Sequence, residues 1–491
     1  MLDTLKHAPY EPPELRCNGK RLVKLDRALV RPHEAMLPRR EARIGIIAAF
    51  ALAIAFLGGS SHPDVAQLTV LRPLAALFFI PALYYATKAR LSEGRTLLLL
   101  LLGLGFIMAL QAVPLPPVLW QELPGRDAVV ELGRLLDVEG TWRPVSWVPS
   151  RTLNALASLV VPAAALLLAL SLATSRSVLL HTILGIALFC ALMTCLQILS
   201  GGNRVFYLYS TLIGRADGLF SNENHSGVFL ALAMLVSARL AAQTSGERAA
   251  TLQTAIYGAC FVFFFVSILI GGSRAAFVCA IIAIVVAGTI LRSVTMARNS
   301  QSRRSRPRSA PGLSRYAMPT IGVVLAAGLI FAFFLAERSP SLDDIFRQDS
   351  FEDMRWRIAP ILWTMIEQNW LFGIGFGAFE EYYHIYEPAE LLLPRYINQA
   401  HNDWGQYVLE GGLAGTVLLL GILAWVFKRL FLLWRSGAGE RDKLLFWAGW
   451  FAILAAASTI DYPLRTPIFQ VIAIWSLLVL ERDSRMGDYR S

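Results

Sequence analysis

Charged residues are scarce in this 491-residue chain, at 16% of the sequence, where an ordinary globular protein has roughly a quarter. Hydrophobic residues make up 55%, and the mean hydropathy is +0.52. Apolar runs of about 20 residues, each long enough to cross a bilayer, recur along the chain. This composition excludes a string of soluble domains and predicts an all-α polytopic membrane protein.

Cysteine is sparse as well. Four of the five cysteines lie inside apolar runs, and Cys17 lies in the basic N-terminal segment. These positions give no disulfide framework and no zinc-ligand spacing. HExxH, P-loop, GxSxG and EF-hand motifs are absent, so zinc hydrolysis, nucleotide hydrolysis and serine esterase chemistry have no support. We expect neither a metal nor a cofactor.

The apolar runs predict twelve membrane spans. They are expected near 44–57, 65–86, 96–119, 153–173, 178–198, 224–242, 252–270, 275–291, 317–336, 406–427, 444–459 and 468–480. An even number puts both termini on one side, and 31 of the 45 lysines and arginines fall on that side. Because cytoplasmic loops are enriched in basic residues, we expect cytoplasmic termini. The basic run 303–308 fits this rule, so we expect no nucleic-acid partner.

These spans divide the chain into five segments. A basic cytoplasmic tail (1–43) is followed by nine spans (44–336), a large loop (337–405), three spans (406–481) and a short cytoplasmic tail (482–491). The loop holds 12 of the 35 acidic residues, and its runs 356–368 and 378–385 are typical of helices. Structureless loops of this length are uncommon. We therefore expect a folded loop subdomain on the exocytoplasmic face.

Arg274 follows two glycines between two spans that form almost one apolar stretch. An arginine at this depth either snorkels to the interface or meets an anion in a polar cavity. A guanidinium is the side chain best shaped to hold phosphate oxygens with two parallel hydrogen bonds. The residue alone leaves both interpretations open.

Arg355 and Arg357 lie on the first predicted helix of the loop, before the glycine run Gly373–Gly377. A spacing of two puts the arginines on different helix faces, so at most one points into a given site. The glycine run is no dinucleotide fingerprint, because no βαβ unit surrounds it. It is either a loop whose backbone approaches a substrate closely or a plain turn at the membrane surface.

His401 lies where the loop returns to the membrane, just before Asn402 or Asp403 as the N-cap of the next helix. A histidine is the natural general base at neutral pH, although a lone histidine is more often structural. The segment Ser221–His225 opens another span on the same face and is equally suited to helix capping. Asp461 and Arg465 join the last two spans and are expected to pair with one another.

These residues together resemble the O-antigen ligase and polymerase family of bacterial envelope glycosyltransferases. The resemblance is carried by R-x-R from Arg355, W-x-M-I, G-x-G-x-G-x-F from Gly373, H-N-D-W from His401 and E-G-G-L-x-G ending at Gly415. Upstream, the G-S-R turn at Arg274 and the segment 218–224 add matches. One departure is Trp370, which stands where the family usually has proline.

The resemblance implies a metal-independent, inverting transferase in the bacterial inner membrane, with its active site on the periplasmic side. It implies a fold like the C-type glycosyltransferase membrane fold, with His401 as the essential histidine and Arg274 and Arg355 as the catalytic arginines. The candidate substrate-binding residues are Arg357, Arg215, Asn222, Asn224, Gly375, Gly377 and Asn402. Implied partners are an undecaprenyl-diphosphate-linked glycan, an acceptor glycan or lipid, membrane lipid, a chain-length regulator and a flippase.

Several alternatives stay open at this point. Glu380, Glu381 or Glu387 could replace His401 as the base. A polymerase of O-antigen or exopolysaccharide repeat units, a ligase to lipid A–core and a protein O-oligosaccharyltransferase share these motifs, and the two separate groups of arginines favour the polymerase. A secondary transporter also uses about twelve spans and broken helices, but it predicts symmetry between halves that the sequence lacks. A non-enzymatic scaffold of an assembly complex is the remaining class.

Overall fold

A computed structural model describes residues 37–62, 65–201, 203–209, 216–244, 248–305, 350–391, 397–437 and 440–488, with side chains given for all of these except 248–250, 295, 297–305, 350–356 and 486–488. Several predicted features lie outside these ranges. They are Arg215, the ninth span at 317–336, most of the N-terminal tail, and residues 337–349 and 392–396 of the loop.

The described residues are predominantly helical. In chain order the helices are α1 (Arg40–Leu57), α2 (Ala66–Leu77), α3 (Phe79–Tyr84), α4 (Lys88–Glu93), α5 (Arg95–Ala112), α6 (Pro117–Trp120), α7 (Asp127–Leu135), α8 (Pro149–Ser158), α9 (Val160–Ser171), α10 (Arg176–Leu199), α11 (Glu223–Gln243), α12 (Arg248–Gly271), α13 (Arg274–Ser305), α14 (Ser350–Asn369), α15 (Phe379–Tyr383), α16 (Asp403–Arg435), α17 (Arg441–Ile460) and α18 (Pro467–Asp488). Two short strands, β1 (Pro114–Leu115) and β2 (Arg143–Pro144), pair antiparallel.

Nine helical segments within the described ranges are long and apolar enough to cross a membrane. They match nine of the predicted spans, the second to the eighth, the tenth and the eleventh, so the chain is an all-α polytopic membrane protein. Helices α1 and α18 cover the first and last predicted spans, but α1 carries three charged residues at its start and α18 carries five at its end. The count of twelve therefore stays a prediction.

Helix α11 is the centre of the bundle. Almost every one of its side chains is buried, and α10, α12, α13 and α17 pack around it. A small residue allows the closest of these contacts, because a Cβ at Gly227 would overlap the side chain of Ala276 on α13. Small residues at helix interfaces are how membrane helices approach each other closely. The first turns of α11 and α13 are thereby held side by side.

Helix α16 is broken at Gly412, whose φ of 58° and ψ of −153° are not helical. The break leaves the carbonyls of Leu409 and Glu410 to accept hydrogen bonds from the amides of Ile374 and Gly375, at 3.0 and 3.1 Å. The amide of Leu413 in turn donates to the carbonyl of Leu371. The glycine run and the E-G-G motif are thus two halves of one backbone contact.

The far end of α18 is held by buried ion pairs. Asp483 accepts hydrogen bonds from Arg239 of α11, Arg176 of α10 and the indole of Trp447, at 2.5 to 2.9 Å. Glu481 accepts from Arg429 of α16 at 3.0 Å. Buried charges are tolerated only when they are paired. These pairs fix the register of four helices at the end of the bundle remote from His401.

Candidate functional site

His401 directly precedes α16 and has a φ of +51°, which is rare for a non-glycine residue. Asn402 is the N-cap of α16, because its side-chain oxygen accepts from the amide of Gly405 at 2.9 Å. The predicted helix start is confirmed with Asn402 as the cap. The side chain of His401 is 24% exposed beside this helix end.

Asp461 lies between two histidines in the turn after α17. Its Oδ1 atom is 3.5 Å from His401 Nδ1 and 3.5 Å from His225 Nε2. These distances are longer than ideal hydrogen bonds, but both ring atoms are close enough to feel the carboxylate charge. The ring of Tyr462 contacts both imidazoles edge-on, with centroids 4.9 and 5.1 Å away. His401 is the more exposed of the pair, and His225 is buried.

Asn224 connects this carboxylate to the start of α13. Its amide nitrogen donates to Asp461 Oδ2 at 2.8 Å, and its side-chain oxygen accepts from the hydroxyl of Ser273 at 2.6 Å. Arg274 follows Ser273 and begins α13, after Gly272 in a left-handed conformation. We call His225, His401, Asn224 and Asp461 the Asp461 cluster. The structure brings His401 and the Arg274 turn together through it.

The carboxyl of Asp461 is ionised in these surroundings. Burial would raise its pKa, but the imidazoles of His225 and His401 hold the pKa well below its usual value. The Nδ2 group of Asn224 and the amide of Tyr462, which donates to Oδ1 at 2.9 Å, also favour the charged form. The Asp461 cluster therefore has a fixed negative charge beneath His401.

The expected pairing of Asp461 with Arg465 is wrong. Arg465 makes a bidentate contact with buried Glu410, with two of its N···O distances at 3.1 Å, and lies 3.6 Å from Asp403. The reason is geometric, since the short turn Pro463–Arg465 directs the arginine towards α16. Gln406 completes this contact by donating to Glu410 Oε1 at 2.9 Å. The first turns of α16 are thereby fixed to the turn that carries Asp461.

The two loop arginines lie on α14. Arg357 is exposed, and the side chain of Arg355 lies outside the described residues. Further along α14, Leu362 packs against the start of α16, where a Cβ at Gly405 would be 2.7 Å from it. With a rise of 1.5 Å per residue, Arg357 lies about 7.5 Å along α14 from this contact. Helix α14 therefore carries both arginines past the His401 end of α16.

The other candidate substrate-binding residues have protein contacts in this structure. Gly375 packs against Ser146 and Thr152, and Gly377 packs against the carbonyl of Arg151. Asn222 is the N-cap of α11, with its side-chain oxygen accepting from the amide of Asn224 at 2.8 Å. A role in substrate binding stays a prediction for each of them.

The loop glutamates are engaged elsewhere. Glu380 and Glu381 form ion pairs with Arg151 of α8. Glu387 lies 3.0 Å from the imidazole of His384, an exposed histidine of the same loop. Of the four base candidates, His401 is the one that lies beside the buried carboxylate of Asp461.

Two residues of the Asp461 cluster were not identified as functional from sequence. Asp461 is 60 positions from His401, and only the packing of α17 against α16 brings the two together. His225 was interpreted as part of a helix cap. The sequence contained one signal for Asp461, namely that it is an aspartate in a short turn between two spans. A charge without a role is costly at such a position.

Within the described ranges, no group of three or more His, Cys, Asp or Glu side chains is arranged to hold a metal ion. The comparison with family models gives one match, to the model described as O-antigen ligase, over residues 259–420. This stretch includes Arg274, Arg355, the glycine run, His401 and the break in α16. No curated protein matches the chain.

Proposed function

We propose that this chain, whose residues 259–420 match the family model described as O-antigen ligase, is an inner-membrane glycosyltransferase that moves glycans from undecaprenyl diphosphate on the periplasmic face. The observation that carries the proposal is the position of His401, which is partly exposed and lies 3.5 Å from the buried carboxylate of Asp461. Hydrogen bonds through Asn224 and Ser273 connect that carboxylate to the turn that carries Arg274. The proposal starts from a polytopic membrane protein similar to O-antigen ligases and polymerases. The catalytic roles of the residues and the substrate are what we add to it.

His401 is proposed as the general base. With a proton on Nδ1, next to Asp461, the Nε2 lone pair is available to an acceptor hydroxyl. The acceptor oxygen gives its proton to Nε2 and forms a bond to the anomeric carbon from the face opposite the leaving group, so the configuration inverts. The bond from the anomeric carbon to the diphosphate breaks, and undecaprenyl diphosphate leaves with that electron pair.

Arg274 and Arg355 are proposed to hold the diphosphate, with Arg357 as the near alternative. Negative charge develops on the leaving oxygen as its bond to the sugar breaks, and fixed guanidinium groups in a water-poor site stabilise this charge. Arg274 at the start of α13 also adds its charge to the positive end of the helix dipole. The arginines supply the stabilisation that a divalent cation gives in other transferases, so we propose a metal-independent reaction.

Asp461 is proposed to orient His401 and to stabilise the imidazolium that forms when His401 takes the proton. A carboxylate behind a catalytic imidazole fixes both its tautomer and its direction. The low pKa of Asp461 supports this role, because the carboxyl stays charged while His401 changes its protonation. His225 lies on the other side of the same carboxylate and shares its charge.

We propose polymerisation of O-antigen or exopolysaccharide repeat units as the reaction. A polymerase has to hold a growing chain on its carrier beside an incoming repeat unit, and both substrates are then diphosphates. The loop 337–405 offers room for them, and α14 with α15 forms a folded part of it next to α16. The distribution of basic residues predicts cytoplasmic termini, and this topology is consistent with a site on the periplasmic side. A chain-length regulator and a flippase would be the protein partners.

Ligation to lipid A–core is the second candidate, since the matching family model is described as O-antigen ligase. Deleting the gene and examining the carrier-linked glycans separates the two reactions. A polymerase defect leaves single repeat units on undecaprenyl diphosphate. Long chains that accumulate on the carrier would overturn polymerisation and assign the final transfer to this protein.

A further inference from the structure

A small cavity lies between the start of α1 and the turn that joins α9 to α10. Its volume is about 80 Å³. Two arginines of α1 line it together with the helix-connecting turn. The lining residues are Arg40, Arg43, Ile44, Leu172, Ala173, Thr174, Ser175 and Val178.

The cavity belongs to the end of the bundle opposite His401. The other end of α1 is fixed near the candidate active site, because the carbonyl of Gly59 accepts from the amide of Ser221 at 3.1 Å and that of Gly58 from Ile468. Eighteen residues of helix separate the two ends, which is about 27 Å at 1.5 Å per residue. The cavity is therefore no part of the transfer site.

The turn that lines this cavity joins the end of α9 to the start of α10. Ala173, two residues after the end of α9, has a left-handed conformation, and the carbonyls on either side of it already accept from arginines: Leu172 from Arg43 at 3.3 Å and Thr174 from Arg482 at 2.6 Å. Ser175 then begins α10 as its N-cap. The amides and dipole at a helix start favour an anion.

Two buried polar atoms at the cavity have no hydrogen-bond partner among the described residues. They are the hydroxyl of Thr174, a residue that is only 7% exposed, and the Nε atom of Arg43. A buried polar group without a partner costs free energy comparable to a lost hydrogen bond. A hydrogen-bond donor pair beside a helix start is the recognition pattern of a phosphate group.

We propose that this cavity binds the phosphate of an anionic phospholipid. The lipid, in place of a free anion, is favoured by the surface of α1 below the arginines. From Arg40 the exposed positions continue in steps of four through Ile44, Ala48, Leu52 and Phe56, which form one ridge of the helix. A headgroup phosphate in the cavity leaves its acyl chains lying along this apolar ridge.

Lipid binding is measured by native mass spectrometry on the full-length protein, delipidated in detergent and supplied with equal amounts of phosphatidylglycerol and diacylglycerol, which has the same acyl chains and no phosphate. We expect wild-type protein to retain phosphatidylglycerol in preference to diacylglycerol. Thr174→Val removes the hydroxyl at nearly constant shape, and Arg43→Gln removes the charge. Each variant should weaken the preference roughly tenfold, the effect of one charge-assisted hydrogen bond.

The matched control is Arg435→Gln, which removes an exposed arginine from the end of α16 on the same side of the bundle. It should leave the preference unchanged. Thr174→Val keeps the proposal testable if Arg43→Gln folds poorly. Equal retention by wild type and both cavity variants would overturn the site. Displacement of phosphatidylglycerol by millimolar inorganic phosphate would overturn the lipid as its occupant and assign the cavity to a free anion.

Discussion

A buried carboxylate from outside the loop is the feature that distinguishes His401 from His384, the other histidine of the loop 337–405. His384 lies in the same loop and also faces a carboxylate, but its partner Glu387 belongs to the loop itself. Asp461 comes from a different pair of helices and is further held by Asn224 and the amide of Tyr462. The position of His401 is therefore determined by α11, α16 and α17 together.

His401→Ala should lower transfer by at least about 10² to 10⁴-fold, the usual contribution of general acid–base catalysis. The protein should still insert and accumulate normally, because the side chain is partly exposed at a helix end. The measurement is glycan transfer by purified protein at matched protein amounts. His384→Ala is the matched control and should retain full activity; a similar loss in both variants would show that His401 has no special role.

Arg274→Lys should be far from conservative if the guanidinium grips a diphosphate, because an ammonium group cannot form two parallel hydrogen bonds. We expect a fall in transfer of about tenfold or more, the effect of losing one charge-assisted hydrogen bond. Arg292→Lys, at the other end of the apolar part of α13, serves as the control and should be neutral. Wild-type transfer by Arg274→Lys would exclude bidentate binding by this residue.

Asp461→Asn should lower kcat by about 100-fold with a smaller change in KM, because it removes the group that orients the base and not a substrate contact. Its effect on stability depends on pH. A carboxyl whose pKa is lowered by folding stabilises the protein above its unfolded pKa near 3.9, and this contribution is lost as the pH falls through the folded pKa.

The Tm of Asp461→Asn should consequently lie below that of wild type at pH 7. The difference should persist down to about pH 4 and shrink only in stronger acid. Thermal unfolding of both proteins in detergent across this range measures it. A Tm difference that disappears already at pH 6 would contradict an ionised Asp461 carboxylate as the source of this stability.

At the scale of elements, the spans were predictable and their contacts were not. The length of the apolar runs identified the helices, and the paired glycines before Arg274 identified the turn there. The glycine run and the E-G-G motif were visible separately, but nothing in the sequence indicated that Gly373 would pack on Gly412. Likewise, Asp461 and Arg465 are close in sequence, but the short turn between them directs their side chains apart. Asp461 contacts His401, and Arg465 pairs with Glu410.

Gly412→Ala should disrupt the contact between α16 and the glycine run. The backbone conformation of Gly412 is essentially restricted to glycine, and a Cβ there would lie 2.5 Å from the amide nitrogen of Gly373. We expect a loss of about 1–3 kcal/mol in stability, measured as a lower Tm in detergent. Gly421→Ala lies on the same helix with open space around it and should leave the Tm unchanged or slightly higher.

At the scale of the whole molecule, the bundle has two ends of different character. One end carries His401, Asp461 and the start of α13, and the other carries the ion pairs of Asp483 and Glu481 and the basic ends of α1 and α13. The partition of lysine and arginine predicts that the second end faces the cytoplasm. The proposed transfer reaction requires the first end to face the periplasm.

Cysteines introduced at Arg303 and Glu390 should therefore label from opposite sides of the membrane in intact cells. Glu390 is exposed in the loop, and an impermeant maleimide should reach it from outside. Arg303 should react only after the membrane is permeabilised. A background with Cys17 replaced by serine serves as the reference, since three of the other cysteines are buried. Labelling of both positions from outside would exclude the topology and the site with it.

The central claim is that His401 takes the acceptor proton while a carrier diphosphate leaves. The most direct test is to reconstitute the purified protein in liposomes with undecaprenyl-diphosphate-linked repeat units and a metal chelator, and to count glycosidic bonds formed and undecaprenyl diphosphate released. We expect one carrier released per bond by wild-type and His384→Ala protein, and almost none by His401→Ala. Equal release by wild type and His401→Ala, or release that requires a divalent cation, would contradict it.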